Sequence, residues 1–199
     1  FCAGSDLKSF DLAAPEPYPE HGYAGLIARF DLNKPVIAAV NGLALGGGFE
    51  LALACDIILA AETARFGLPE PKVGLIAIAG GITRLVRTIG AKRAMIPLLT
   101  SRQIPAREGH ELGFVSEVVA ADGLMAHAHQ LAQDIVACAP LAVRATKEIA
   151  MRGLDEPSLA RALSAQEDYP AYREWLKSED VQEGSHAFVE KRPPEWKGK

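Results

Sequence analysis

The sequence predicts an α/β layered fold that gives way to a helical C-terminal region, and three observations carry that prediction. Compact apolar runs suited to buried strands, Val36–Asn41, Asp56–Ala61 and Val115–Val119, alternate with helix-compatible segments. From Leu124 onward the strand-like runs stop and helical segments follow one another. Of the 199 residues, 49% are hydrophobic and 23% charged, a balance able to build a sizeable core.

In chain order, Phe1–Lys8 reads as the end of a strand turning into a loop. Asp11–Gly22 is rich in Pro, Glu and Ala, with Pro15, Pro17 and Pro19 at alternate positions. That is a loop, and a long loop beside a site often covers substrate. Tyr23–Asp31 is a short helical segment, Val36–Asn41 a buried strand, and Leu51–Ala54 lies in the helix that follows. Asp56–Ala61 is the next strand. Ile82–Ile89 is a helix opened by Gly80 and Gly81, with Arg84 and Arg87 on its polar side. Helices over Ala91–Thr100 and Ala106–Leu112 precede the strand Val115–Val119. Four helices are then predicted, over Leu124–Cys138, Pro140–Arg152, Ser158–Lys177 and Asp180–Lys191. A boundary near Asp134 separates an α/β region, 1–134, from a helical region, 135–199.

Several function classes are disfavoured at once. The net charge of −4 offers no nucleic-acid surface. No uninterrupted apolar stretch reaches membrane-spanning length. Cys2, Cys55 and Cys138 are odd in number, scattered and without metal-type spacing, as expected of reduced thiols in a cytoplasmic protein. His127 and His129 stand two apart on a predicted helix and so face different ways, which makes a metal pair there unexpected. No Ser-His-Asp signature, phosphate loop or dinucleotide fingerprint is present.

The chemistry concentrates in Gly46-Gly47-Gly48-Phe49-Glu50 and in Phe66-Gly67-Leu68-Pro69-Glu70. Glycines opening a helix bring bare N–H groups and the positive dipole end against an oxyanion. Glu50 falls in the first turn of that helix, where a carboxylate is also favoured by the dipole alone. Glu70 lies between Pro69 and Pro71, which pushes it toward an extended conformation and stiffens its surroundings. Burial would raise its pKa and keep it an acid near neutral pH. Two carboxyls beside a polarised carbonyl suit acid–base catalysis.

These motifs, with Phe1-Cys2-Ala3-Gly4-Ser5-Asp6-Leu7-Lys8, Lys34-Pro35-Val36-Ile37-Ala38-Ala39-Val40-Asn41-Gly42, Ala79-Gly80-Gly81 and Ala187-Phe188-Val189-Glu190-Lys191-Arg192, closely resemble the crotonase (enoyl-CoA hydratase/isomerase) superfamily over essentially the whole chain. Within it, Phe49–Ala54 and the ending Glu195-Trp196-Lys197-Gly198 look most like carnitinyl-CoA dehydratase and its relatives. The resemblance implies a spiral of ββα units with a C-terminal helical region that mediates trimers or dimers of trimers. It also implies strands before Phe1, so the sequence reads as a fragment or as the recorded part of a longer chain.

Residue by residue, the resemblance makes the N–H groups of Ser5 and Gly47 the oxyanion hole for a thioester carbonyl. Many relatives carry Ala where Ser5 stands. Glu50 and Glu70 match the pair that activates water and moves the α-proton. Ala3, Asp6, Leu7, Lys8, Gly46 and Ile78 fall at substrate-lining positions, and Phe188 and Lys191 at positions near the CoA nucleotide, where lysines suit phosphates. Ala77-Ile78 replaces the Pro-Gly of many hydratases, whose glycine N–H helps to hold water; an N–H remains, beside a branched side chain near the acyl end.

The implied activity is hydration of an enoyl-CoA with no metal or redox cofactor, coenzyme A being part of the substrate. Carnitinyl-CoA dehydration, double-bond isomerisation, thioester hydrolysis and non-catalytic acyl-CoA binding stand as alternatives. A carnitinyl substrate would want an aromatic cradle for its ammonium, with Tyr18, Tyr23 or Trp175 as contributors.

Overall fold

Six short strands and nine α-helices make up the regular structure of residues 1–8 and 18–199, which the computed structural model describes. They fall into two units, one of Phe1–Phe30 with Val36–His129, the other of Asp31–Pro35 with Gln130–Lys199.

In the first unit β1 to β4 alternate between two sheets. β1 (Ile37–Val40) is followed at once by β2 (Leu43–Leu45) and then α1 (Gly47–Ala54). β3 (Ile57–Ala61) returns parallel to β1, with Ile37 opposite Ile57 and Val40 opposite Ala60. β4 (Arg65–Gly67) does the same to β2, with Leu43 opposite Arg65 and Leu45 opposite Gly67. Each ββα turn therefore stacks on the last, and that is the spiral. α2 (Gly81–Ile89) and α3 (Ala91–Thr100) follow. β5 (Ile104–Pro105) joins β4 antiparallel, α4 (Ala106–Leu112) comes next, and β6 (Glu117–Val119) joins β3 in parallel. The sheets thus run β1-β3-β6 and β2-β4-β5.

The core explains why these elements stay in register. β3 is buried on both faces, with Leu59, Ala60 and Ala61 wholly inaccessible, as a central parallel strand requires. Phe49 of α1, Phe66 of β4 and Phe114 form a closed aromatic triangle with centroids 5.1–5.3 Å apart. Burying each ring is worth about 1.5–3 kcal/mol, and such pairs add about 0.5–1.5 kcal/mol. The triangle ties α1 to β4, the two elements that carry Glu50 and lead into Glu70.

Several sequence expectations are corrected. Tyr23–Asp31 is helical only over a 3-10 turn at Tyr23–Gly25, because Gly22, Ala24 and Gly25 adopt left-handed φ values of 76°, 54° and 67°. Ser158–Lys177 is two helices, α7 (Leu159–Ala165) and α8 (Pro170–Leu176), separated by a 3-10 turn and by Tyr169, extended ahead of Pro170. β2, β4 and β5 were not anticipated. Of the loop expected over Asp11–Gly22, residues 11–17 lie outside the described residues.

The second unit is helical. Besides the end of α5 (Leu124–Val136), it holds α6 (Pro140–Gly153), α7, α8 and α9 (Asp180–Glu190). Buried polar groups lock it: Glu148 accepts the Ala171 N–H at 2.6 Å, satisfying the start of α8, while Asp180 accepts the N–H groups of Lys197 and Gly198 at 2.8 and 2.9 Å. No helix among the described residues is long and apolar enough to cross a membrane.

Candidate active site

β2 and β4 end side by side, and the Gly46 N–H donates to Gly67 O at 2.9 Å. The chain must then turn sharply into α1, and Gly46 does so at φ 55°, ψ −128°, a conformation essentially reserved for glycine. α1 starts directly under the N-terminal segment. Cys2 pairs with β2 through Cys2 N–H to Leu43 O and Leu45 N–H to Cys2 O, both 3.0 Å, and a side-chain carbon on Gly48 would stand only 2.0 Å from the Cys2 carbonyl oxygen. A carbon on Gly4 would stand 3.1 Å from Gly47 N, so the Gly4–Ser5 backbone crosses the first turn of α1. Helix geometry leaves the Gly47 and Gly48 N–H groups without intrahelical acceptors. The structure therefore brings Ala3, Ser5, Gly46 and Gly47 together at one helix N-terminus.

Glu50 lies in that first turn with 4% of its surface exposed. Its Oε1 accepts the Gly81 N–H of α2 at 2.9 Å. Burial pushes its pKa up and the neighbouring Glu70 charge adds to this, against the lowering effects of the Gly81 and Ala79 N–H groups and of Arg84. Glu70 arrives three residues after β4. Its Oε1 sits 3.0 Å from where a side-chain carbon on Gly46 would be, and its buried Oε2 has no hydrogen-bond partner. Burial raises its pKa as well. Two carboxyls with strengthened hold on a proton thus adjoin the first turn of α1, whose leading N–H groups lack intrahelical acceptors.

Two local expectations are corrected. Glu70 opens a 3-10 turn, Glu70–Val73, instead of lying extended; Pro71 needs no N–H acceptor there, and Gly74 closes the turn in a left-handed conformation. The Ile78 N–H is not free to hold water, because it donates to Ile76 O at 2.9 Å, and the Ile78 side chain is 75% exposed.

The remaining predicted residues are dispersed. Asp6, Leu7 and Lys8 continue outward from the site and are exposed, with the Lys8 N–H bonded to Asp6 Oδ1 at 3.0 Å. Phe188, on α9, and Lys191, at its C-cap, are exposed residues of the second unit, a different unit from the glutamates. Trp175 also belongs to the second unit, where it packs on Tyr172 with centroids 5.3 Å apart.

Sequence reasoning missed what Arg84 does and where Tyr23 sits. Arg84 reads as a polar-face residue, yet its half-buried guanidinium donates to Ile27 O at 2.6 Å and faces Glu50; burial lowers its pKa, with the Glu50 charge opposing. Tyr23 lies with its hydroxyl 3.2 Å from Ser5 Oγ. Flanking Gly22 and Gly25 signalled a turn at Tyr23, but nothing local indicated where it would dock.

Comparison with known proteins bears on the whole arrangement. The model of the enoyl-CoA hydratase/isomerase family matches residues 1–199. A carnitinyl-CoA dehydratase of Proteus mirabilis is 45% identical over 203 residues, covering 100% of this chain and 77% of that protein, and one of Citrobacter koseri is 45% identical over 206 residues with the same coverage. The crystal structure of an enoyl-CoA hydratase from Mycobacterium tuberculosis superposes with a TM-score of 0.90 at 41% identity, over 100% of this chain and 77% of that one. That of an enoyl-CoA hydratase from Bacillus anthracis gives 0.82 at 42% identity, over 88% and 67%. The chain belongs to the enoyl-CoA hydratase/isomerase family.

Proposed function

We propose that this chain is a hydro-lyase that adds water reversibly, in the syn sense, across the 2,3-double bond of an acyl-CoA thioester. The observation that carries this reading is the convergence of two carboxyls, the buried Glu50 and the half-buried Glu70, on the N-terminus of α1. In the forward direction the thioester oxygen accepts the N–H groups of Ser5 and Gly47. Glu50, whose Oε1 is already a hydrogen-bond acceptor, is the ionised partner that takes a proton from water as its oxygen bonds to C3. The displaced π pair moves through C2 onto the carbonyl oxygen, where the two N–H groups stabilise it. Glu70, whose unpartnered Oε2 favours the protonated form, delivers its proton to C2 as the carbonyl re-forms. One proton is taken and one given, and proton exchange restores the pair.

Asp6, Leu7 and Lys8, exposed beyond the oxyanion donors, are assigned to the CoA portion of the substrate, where Lys8 suits a phosphate. We also infer self-association into trimers or dimers of trimers, supported by the exposed apolar side chains of the helical unit, among them Leu159, Leu163 and Val189.

A second reading within the same chemistry takes a carnitinyl substrate, favoured by the 45% identity to carnitinyl-CoA dehydratases. Incubation with crotonyl-CoA and, separately, crotonobetainyl-CoA, following loss of the conjugated double bond, decides between them, with Glu70→Gln as the control. Glu70-dependent hydration of crotonyl-CoA is the expected result. Turnover of crotonobetainyl-CoA alone would assign the carnitine branch, and no turnover of either would overturn the hydratase reading.

A further inference from the structure

Tyr23 is the one aromatic side chain whose polar end reaches the proposed oxyanion donors among the described residues, and no step above uses it. A side-chain carbon on Gly47 would lie 2.4 Å from both Cζ and Oη of Tyr23, so the phenol tip rests directly on the Gly47 backbone. On the other side Ser5 Oγ donates to Tyr23 Oη at 3.2 Å. The hydroxyl therefore stands between the two residues whose N–H groups are assigned to the thioester oxygen. Having accepted a hydrogen bond from Ser5, it keeps its own proton to donate.

The ring is held there by more than one contact. The Tyr23 turn is closed by Gly25 N–H to Gly22 O at 2.9 Å, and its next residues are fastened by Ala28 N–H to His21 O at 2.9 Å. Arg84 Nη2 clamps Ile27 O at 2.6 Å from α2, the same helix whose Gly81 N–H holds Glu50. Tyr18 stacks edge-on against the Tyr23 ring with centroids 5.9 Å apart. Gly47 completes the fit, since any larger residue would collide with the ring.

We propose that the Tyr23 hydroxyl is a third donor to the thioester oxygen, a side-chain arm of the oxyanion hole oriented by the Ser5 side chain. This rests on the acyl-CoA reading given above. It also gives the Ser5 side chain a purpose beyond its backbone N–H: Ser5 Oγ, by donating to the phenol, directs the phenol proton toward the substrate and makes it a better donor.

The test separates binding of the carbonyl from binding of the rest of the ligand. Butyryl-CoA carries the thioester oxygen and cannot be hydrated; S-butyl-CoA, its thioether counterpart, lacks that oxygen. Both are titrated calorimetrically against the wild type and Tyr23→Phe, which keeps the ring and its packing. The expected result is that the substitution weakens butyryl-CoA about tenfold and leaves S-butyl-CoA unchanged, the size of one neutral hydrogen bond. Ser5→Ala should lower kcat on the turned-over substrate by a smaller factor, and Ser5→Ala with Tyr23→Phe should match Tyr23→Phe alone, because the serine acts through the phenol.

Equal affinities of the wild type and Tyr23→Phe for butyryl-CoA would overturn the proposal while leaving the hydratase reading intact. So would tighter butyryl-CoA binding by Tyr23→Ala, which would show that the ring fills the site as a plug. Failure of the wild type to bind either ligand would overturn the acyl-CoA reading itself, and this inference with it.

Discussion

Glu50 and Glu70 are held in surroundings that oppose their own charge, and this has a thermodynamic signature separate from catalysis. Both carboxyls have folded-state pKa values raised above the ordinary 4.5, chiefly by burial. Above 4.5 the folded chain therefore holds protons that the unfolded chain has released, so stability falls as pH rises through that window and is undiminished below it. Glu70→Gln removes a carboxyl whose Oε2 has no partner and whose folded-state pKa is raised. It is expected to raise Tm at pH 7, at about 2–4 °C for each kcal/mol relieved in a chain of this size, and the gain should vanish below pH 4.5. The same substitution should lower kcat by about 10²–10⁴. Paired thermal melts and rates across pH check both. A Glu70→Gln protein less stable than wild type at pH 7 would mean that the carboxylate is satisfied in the fold. Because turnover needs one ionised and one protonated carboxyl, kcat/KM should fall on both sides of an optimum, with limbs that belong to the coupled pair.

What joins these groups is the meeting of α1 with its neighbours, and here the sequence was legible only in places. The glycine run and Glu50 show themselves because they are contiguous, and α1, α2, α3 and α4 were placed from composition, helix signals and resemblance. The approach of Glu70 to Gly46 depends instead on the parallel pairing of β2 with β4. These strands have three residues each, too few for any periodicity to register, and β5 has two. The docking of Tyr23 and the clamp from Arg84 are likewise contacts between distant segments with no local signal. The break at Pro170, by contrast, is legible in the sequence, because a proline disfavours a helical conformation in the residue before it. Gly48 tests how tightly the meeting is built. A methyl there would lie 2.0 Å from a backbone oxygen that cannot rotate away, so α1 or the Cys2–β2 pairing must shift. Gly48→Ala should destabilise the chain by about 1–3 kcal/mol and lower kcat about 100-fold through misplacement of Gly47 and Glu50. Gly123→Ala, where the added carbon would lie at an ordinary 3.7 Å from Ala120 O, serves as the control; its stability should stay within about 0.5 kcal/mol of wild type. Denaturant melts of the two variants decide it, and equal stability would show that the N-terminal segment yields easily.

For the molecule taken entire, the apolar surface left exposed is the informative property. The ββα spiral keeps Phe49, Phe66, Leu59 and Leu85 at most 1% exposed, while Phe30, Ile78 and Leu99 stand 75% or more exposed on its surface. The helical unit keeps Leu154, Leu159, Leu163, Leu176, Phe188 and Val189 between 55% and 85% exposed. Isolated exposed leucines are unremarkable, but several on short helices are characteristic of surfaces that associate. Leu159 and Leu163 of α7 are four residues apart and so project from one face. Copies related by a closed rotation could bury such a face without leaving an open end, which is how soluble homo-oligomers satisfy apolar surface. On the trimer or dimer-of-trimers reading that the family resemblance implies, the chain should sediment at three or six times its 21.2 kDa mass. Glu at both positions would place charges four residues apart on that face and should shift the species toward monomer while the far-ultraviolet spectrum keeps its helical content. A wild-type chain that sediments as a monomer at micromolar concentration would remove the argument from exposed leucines. An associated protein indifferent to the double substitution would move the interface off α7 and onto the other exposed apolar residues of the helical unit.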